Sequence, residues 1–538
     1  MNTWKEFAAA AALLGLTVAL AGCNDSSAPH LTSINAVAAS PNVAIGATDQ
    51  LAVTGTNSDG TKVPVTTNVT FTSSAPSIAT VSAAGLVTGV APGPATITAT
   101  VSGVPSSPVT VTVVASAVQV LHASPDAPKV DVLVDGAKAV SDLDFGQGSG
   151  VALLAPGAHT VTVQAQTPGS PTMVIGPANL TLDATTQYIV IAEGAVANLA
   201  PVIFTRPVTP VASGQARVQV FHAAPNAPAV DVYVTAPGAS LSGAAPLGSF
   251  SFKGTLGPAS VAAGSYEIRV TVAGQPTQVV FDSGSVSLPA GADLLVAAEQ
   301  NTGPGAAPIT LAVTDSAGKN SQILDVSTPA TVRVIHDTAD APAVSVYANS
   351  DFMTPVVASL AFPNFTSYLP IFPASSVTSV QVTPAGNSGT VVINAPLTLN
   401  AGTQYSLYAV GTLMTIGPLV TTDDRRRLAT QAKVRIIHGS PSAGNVDIYL
   451  TAPGAGIATA TPILTSVPFK ADTGFLSVAA GSYDVTVTPA GTKTAAIGPT
   501  PITVANNGIY TAVARDHAGG GTPLGLILLD DFFAVVSP

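Results

Sequence analysis

The 538 residues contain one cysteine, Cys23, so no disulfide within the chain can staple any part of it. Each domain must then be held by its own apolar core, which about 100 residues can supply. Charged residues make up 9% of the chain and aromatic residues 5%, and Trp4 is the one tryptophan. Eighteen Lys and Arg stand against 29 Asp and Glu, a formal charge of -11, with no polybasic patch. That balance argues against nucleic acid as a partner and against anionic lipid surfaces recognised by charge. After Cys23 no continuous apolar run approaches 18 residues, which excludes membrane-spanning helices despite the positive mean hydropathy. The alternating runs are also shorter than the about 9–11 residues of an outer-membrane barrel strand, and aromatic girdles are missing. What is abundant is glycine (48) and proline (44), with Ala, Val, Thr and Ser dominating the rest. Such a mixture predicts many short strands joined by tight turns, an all-β chain.

The amino terminus has Lys5, then an apolar stretch from Phe7 to Leu20, then Leu20-Ala21-Gly22-Cys23. This layout is that of a secretory signal peptide, and its apolar run is short of the about 20 residues of a span. Ending in Leu-Ala-Gly-Cys, it resembles a bacterial lipoprotein signal. The resemblance implies removal of residues 1–22, a diacylglyceryl group on the Cys23 sulfur and an acylated, for instance palmitoylated, new amino terminus. Residues 23–30 then form a short lipidated tether. Asp25 lies one place beyond the position next to the cysteine, which by the same resemblance points to the outer membrane. The sequence leaves open whether the chain faces the periplasm or the outside.

Residues 31–115 read as one β unit. Its strands include Gln50-Leu51-Ala52-Val53-Thr54, Ile78-Ala79-Thr80-Val81 and Ala95-Thr96-Ile97-Thr98-Ala99, with turns at Asn57-Ser58-Asp59-Gly60 and Ser73-Ser74. With the hairpin Gly85-Leu86-Val87-Thr88-Gly89, this order resembles the bacterial Ig-like domain of group 2. Phe71 stands where that family usually carries tryptophan, and either ring can fill the space between two sheets.

The remainder is a fourfold repeat. Its openers are Val118-Gln119-Val120-Leu121-His122, Val218-Gln219-Val220-Phe221-His222, Val332-Arg333-Val334-Ile335-His336 and Val434-Arg435-Ile436-Ile437-His438. A Pro/Ala turn follows each, then a second strand around Asp131, Asp231, Ser345 or Asp447. A closing strand carries Tyr188, Tyr405 and Tyr510 at one phase, with Leu294 in the second copy. The opener resembles the bacterial family of the domain of unknown function 4397, which implies an extracytoplasmic setting and no particular chemistry. The expected architecture is a tandem array of β-sandwich modules over 116–206, 215–315, 330–421 and 432–533, touching mainly through short linkers. Arg206-Pro207-Val208-Thr209-Pro210 reads as a stiff linker, 316–330 as a looser one, and Thr422–Arg427 as a solvated, trypsin-accessible one.

Four of the seven histidines, His122, His222, His336 and His438, occupy one repeat position. Asp131, Asp231 and Asp447 follow nine residues later, which invites a His–Asp dyad. Strand parity opposes it, placing each histidine with the core-facing valines and each aspartate on the opposite face. Ser345 replaces the aspartate in the third copy, and no fixed nucleophile accompanies the histidine. The expected role is structural: an imidazole that ends an inward-facing strand and hydrogen-bonds the following turn. Neither His-x-His nor His-Glu-x-x-His occurs, and no Asp-rich loop suits calcium, so no metal and no cofactor are expected. By parity Tyr233, Tyr347 and Tyr449 share the outward face, where they could grip a sugar. The sequence therefore reads as a non-enzymatic, lipid-anchored envelope protein, a stalk or adhesin-like display. Binding of a surface glycan, an envelope polymer or another envelope protein is the alternative, and a hydrolase a distant third.

Overall fold

The structure, a computed structural model, describes residues 29–532, so Cys23 and the signal-like segment lie outside the described residues. No α-helix occurs among the described residues, and the chain divides into two compact units, one reaching to Val114 and one from Ala115. No described helix is long and apolar enough to cross a membrane.

The first unit is a sandwich of two five-stranded sheets. One runs Leu31–Ala38, Thr48–Asn57, Leu86–Gly89, Ala79–Val81, with Lys62–Pro64 added to the second strand. The other runs Asn42–Ala44, Val109–Val114, Gly93–Val101, Val69–Ser73, with Val104–Pro105 added to the third. Alternation sorts the faces: Leu51 and Val53 are buried, whereas Ala52 between them is exposed. Phe71 packs against both apolar clusters of the sandwich. Its ring lies on Gly85, where φ is +77° and a Cβ would come within 2.7 Å of the ring. Only glycine combines that backbone with that close approach.

The second unit holds four sandwich modules of one pattern. In each, the opening strand pairs in parallel with the closing strand: Ser116–Ala123 with Thr186–Glu193, Gln215–His222 with Asp293–Gln300, Ala330–Asp337 with Gln404–Val410, and Ala432–His438 with Ile509–Arg515. The register sets Val118 opposite Tyr188, Val218 opposite Leu294, Val332 opposite Tyr405 and Val434 opposite Tyr510. A second sheet is built on the second strand, Val130–Val134 in the first module. Val118, Val120, Val130, Val132 and Val163 meet between the first module's two sheets.

The opposite face of the opening strands corrects the expectation of modules joined by linkers. Leu121 and Phe221 are 1% and 0% exposed and share one core with Ile189, Ile191 and Leu295, so modules one and two mate sheet to sheet. Modules three and four mate in the same way through Ile335, Ile437, Tyr408, Val513 and Leu529. A sheet that is apolar on both faces must have both faces covered, and each module covers its neighbour.

The linkers are corrected too. Arg206 lies in the strand Ala200–Pro207 and reaches Asp293 of the second module at 3.0 Å, where Arg217 also pairs. Within 316–330, Asn320–Ile323 forms a strand against Ile309–Asp315. In Thr422–Arg427, Asp423 is buried and Arg426 binds Asp144 of the first module at 2.6 Å. The Ala429 N–H donates to the Asp126 carbonyl at 2.8 Å, fastening this segment to the first module. Ion pairing and backbone bonding have absorbed charges that sequence alone assigns to water.

Candidate functional site

The repeated histidines end the opening strands with their rings turned inward, and all four are at most 1% exposed. Nε2 contacts the carbonyl oxygen of Pro128, Pro228, Pro342 or Gly444, at 2.9, 3.3, 2.9 and 2.7 Å. On the other side, the N–H groups of Ser124, Ala224 and Thr338 donate to Nδ1 at 3.3 Å. In the first three modules these partners fix a neutral ring with its proton on Nε2, whereas the His438 Nδ1 has no hydrogen-bond partner. Burial depresses the pKa of all four, that of His122 to about 4. An aromatic edge closes each pocket: Phe145, Phe252, Phe362 or Phe469, with centroids 6.2–6.5 Å away. An imidazole so occupied ties the strand to the following turn and has no face open to a substrate.

The aspartates serve the other sheet. Asp131 pairs with Lys138 at 2.6 Å and accepts the Asp142 N–H. Asp231 accepts the Gly274 N–H at 2.7 Å, and Asp447 accepts those of Ser466 and Gly491, both at 2.8 Å. In the third module the Ser345 hydroxyl donates to the Ala358 carbonyl instead. The two backbone donors hold the Asp447 carboxyl below the usual carboxylate range. Histidine and aspartate thus work on different sheets and form no dyad. No group of three metal-ligating side chains occurs among the described residues.

The placement of the tyrosines corrects the expectation of open rings. Tyr233, Tyr347 and Tyr449 are 3%, 6% and 2% exposed. Loops fold back over that face, setting Phe352 against Tyr347 at 5.3 Å and the Lys493 ammonium over Tyr449 at 4.4 Å. Nothing of these rings is left for a sugar to stack on.

The polar chemistry lies instead where the modules meet. Asp423 is completely buried, with Arg435 2.5 Å from its Oδ1. Its Oδ2 accepts the Tyr368 and Ser406 hydroxyls at 2.5 Å and lies 3.8 Å from Arg333. Arg333 crosses to Asp530 of the fourth module at 2.8 Å, and Arg435 also grips Asp472. Between modules one and two, Glu193 is 0% exposed with the Lys253 ammonium 2.8 Å away, an ion pair not aligned as a hydrogen bond. Glu299 is 0% exposed with no hydrogen-bond partner, and burial raises its pKa well above the ordinary value, only partly opposed by Arg426. Beside these groups a cleft of about 600 Å³ is lined by Lys253, Arg425, Arg426 and Arg427 together with the amides Asn226 and Asn507. Arg426 and Arg427 carry carboxylate partners, Asp144 and Asp531, while Arg425 stacks over Tyr368 at 4.7 Å. The run of arginines was visible in the sequence; that it meets Lys253 in one cleft was not.

Family comparison agrees with the repeat geometry. The domain of unknown function DUF4397 matches residues 116–233, 330–449 and 455–537. The chain belongs to that family. The first two DUF4397 matches each run from one module into the first strands of the next, the third covers the rest of the fourth module, and residues 234–329 of the second module lie outside the matched stretches. Residues 30–113 match the bacterial Ig-like domain, group 2. Ice-binding protein 1 of Shewanella frigidimarina is 48% identical over 69 residues, 13% of this DUF4397 chain and 8% of that protein. Likeness to solved structures is weak. Adhesin InvE of Yersinia pseudotuberculosis gives a TM-score of 0.16 at 17% identity, over 56% of this chain and 61% of that one. Surface layer protein SbsC, domains 4–9, gives 0.14 at 12% identity, over 89% and 99%.

Proposed function

We propose that this chain is a non-enzymatic, lipid-anchored protein of the bacterial cell envelope that displays four mated sandwich modules as one block. The observation that carries the reading is the use made of the repeated histidines: each is buried, neutral and bonded to its own turn. Chemistry repeated four times would need four reachable sites, whereas a fold repeated four times needs four fixed turns. The Ig-like and DUF4397 matches are in keeping with such a role. Anchoring through Cys23 in the outer membrane is part of the proposal. In cells fed radiolabelled palmitate, the wild-type chain is expected to incorporate label and to fractionate with the outer membrane. Cys23→Ser should abolish the label and release the chain. Antibody raised against residues 115–532 should stain intact cells. Staining only after permeabilisation would refute display and leave a periplasmic scaffold.

Binding of an acidic envelope polymer is a second reading, favoured by a cleft that gathers four cations beside two carboxylates, Asp126 and Glu193, in a chain that has 18 Lys and Arg. Arg425 is the informative position, because its guanidinium stacks on Tyr368 without a carboxylate partner among the described contacts. With polygalacturonate as probe, Arg425→Ala is expected to weaken binding severalfold, and added salt should do the same. Equal binding by wild type and variant would remove this reading.

A further inference from the structure

Between the two sheets of the second module lies a cavity of about 690 Å³. Small-molecule sites commonly measure about 300–1,000 Å³. Two cavities between the sheets of the fourth module measure about 40 and 30 Å³. The walls of the large one are aliphatic and include Val218, Val220, Val232, Ile268, Val296 and Val313. Its polar lining gathers at one end, with Tyr266, Ser287, Asp293, Asp315 and Lys319. The pairing of Leu294 with Asp315 and of Gly264 with Leu288 marks that end in the two sheets.

Two coupled sequence differences open this end. In the other three modules a tyrosine of the closing strand, Tyr188, Tyr405 or Tyr510, is 5–7% exposed inside the sandwich. Its phenol oxygen accepts the backbone N–H of the residue five places earlier: Asp183 at 2.8 Å, Asn400 at 3.1 Å and Ala505 at 3.0 Å. In the second module the same register position is Leu294, and the residue five places earlier is Pro289. Proline has no N–H to offer. The ring and the group it would cap are missing together, and Leu288, Pro289 and Leu294 line the mouth of the cavity.

Protein interiors pack to crystal-like density and rarely keep voids much larger than a water molecule. An apolar interior of this size, polar at one end only, matches a molecule of the same polarity. We propose that the second module binds one single-chain amphiphile, with its acyl or alkyl chain between the sheets and its head at the Asp293–Lys319 rim. Sheets stacked about 10 Å apart leave a slot for a slender chain and exclude bulky polymers. Burying methylene groups in that slot supplies the attraction. At the rim the lining carries the carboxylates Asp293 and Asp315 and one ammonium, Lys319, while Arg206 and Arg217 hold Asp293 from outside the lining. Lys319, whose ammonium has no ion pair among the described residues, is the rim's cation for an anionic head of the fatty-acid kind.

The test uses the full chain carrying Cys23→Ser, so that no acyl group of its own competes, titrated with the fluorescent fatty acid cis-parinaric acid. One saturable equivalent per chain is expected, displaced by palmitate. Restoring the sister modules' pair with Leu294→Tyr and Pro289→Asp should weaken binding at least tenfold while leaving the circular dichroism spectrum unchanged. Should that double variant fold poorly, Val296→Phe narrows the slot from its wall and is expected to give the same loss. Tyr510→Phe, in the fourth module, should bind as wild type does. Absence of saturable binding, or undiminished binding by the folded double variant and by Val296→Phe, would overturn the proposal.

Discussion

Replacing Asp423 with alanine is expected to destabilise the second unit by about 3–5 kcal/mol, the usual cost of removing one partner from a buried ion pair. Asp423 stands between two nearly inaccessible guanidiniums, Arg435 at 2.5 Å and Arg333 at 3.8 Å, and takes hydroxyl bonds from Tyr368 and Ser406. Without it the Arg435 charge keeps Asp472 and the Arg333 charge keeps Asp530, but the centre between modules three and four loses its shared acceptor. Asp423→Asn separates charge from hydrogen bonding, since it can still accept from the hydroxyls, and should lose less than alanine. Urea unfolding of both variants measures the difference, with Asp59→Ala in the exposed turn of the first unit as a near-neutral control. The first unit has its own core, so two transitions are to be fitted rather than one. A loss below about 1 kcal/mol in both Asp423 variants would contradict the picture of a buried electrostatic clasp.

Acidification supplies the second large effect. Burial holds the His122 pKa near 4 in the folded chain, against 6.5 for the free side chain. Between those values the unfolded chain binds a proton that the folded chain does not. The His122 contribution is therefore complete above about pH 6.5 and declines as pH falls towards 4. The gap corresponds to a loss on the order of 3 kcal/mol, at about 1.4 kcal/mol per pH unit. The other three repeated histidines shift in the same direction for the same reason. Around His122 the opposing charges are Arg426, which depresses its pKa further, and Asp144 and Asp126, which raise it. Glu299 and Asp337 work the other way: burial raises both, so their contributions decline as pH rises above the ordinary carboxylate range. Comparing wild type with His122→Gln isolates the histidine. The stability advantage of wild type should shrink steadily between pH 6.5 and pH 4, and parallel pH profiles would show that His122 does not titrate as described.

Much of this architecture was legible in the sequence because it rests on local rules. Strand alternation and the recurring His–Pro opener gave four sandwiches, and Phe71 at the tryptophan position gave the aromatic core of the Ig-like unit. Parity placed each histidine with the inward valines and kept each aspartate on the other face. The same rule misjudged Tyr233, Tyr347 and Tyr449, because parity tells which way a ring points and not what the next loop lays over it. The mating of modules had a signal that alternation hid. Immediately before each histidine, on the face opposite the inward residues, stand Leu121, Phe221, Ile335 and Ile437, so the opening strands carry buried apolar residues on both faces. Strands of that kind need cover on two sides, and the neighbouring copy provides the second. The burial of Asp423 was not legible because a charge cluster between repeats resembles any solvated linker until its partners, dozens of residues away, are folded against it.

The mated faces also bear on how a chain of four near-copies sorts itself while folding. Neighbouring repeats with interchangeable surfaces invite exchange of partners and misassembly. Here the residue three places before each repeated histidine differs between the two pairs. It is Gln119 and Gln219 in one, and Arg333 and Arg435 in the other. Gln119 donates to the Asp315 carbonyl of its partner module, while Arg333 requires Asp530 and Arg435 requires Asp423. Seating an arginine-centred face on a glutamine-centred one would bury guanidiniums without carboxylates, at a penalty of several kcal/mol. A single position per repeat thus sets the mated face of one pair apart from that of the other.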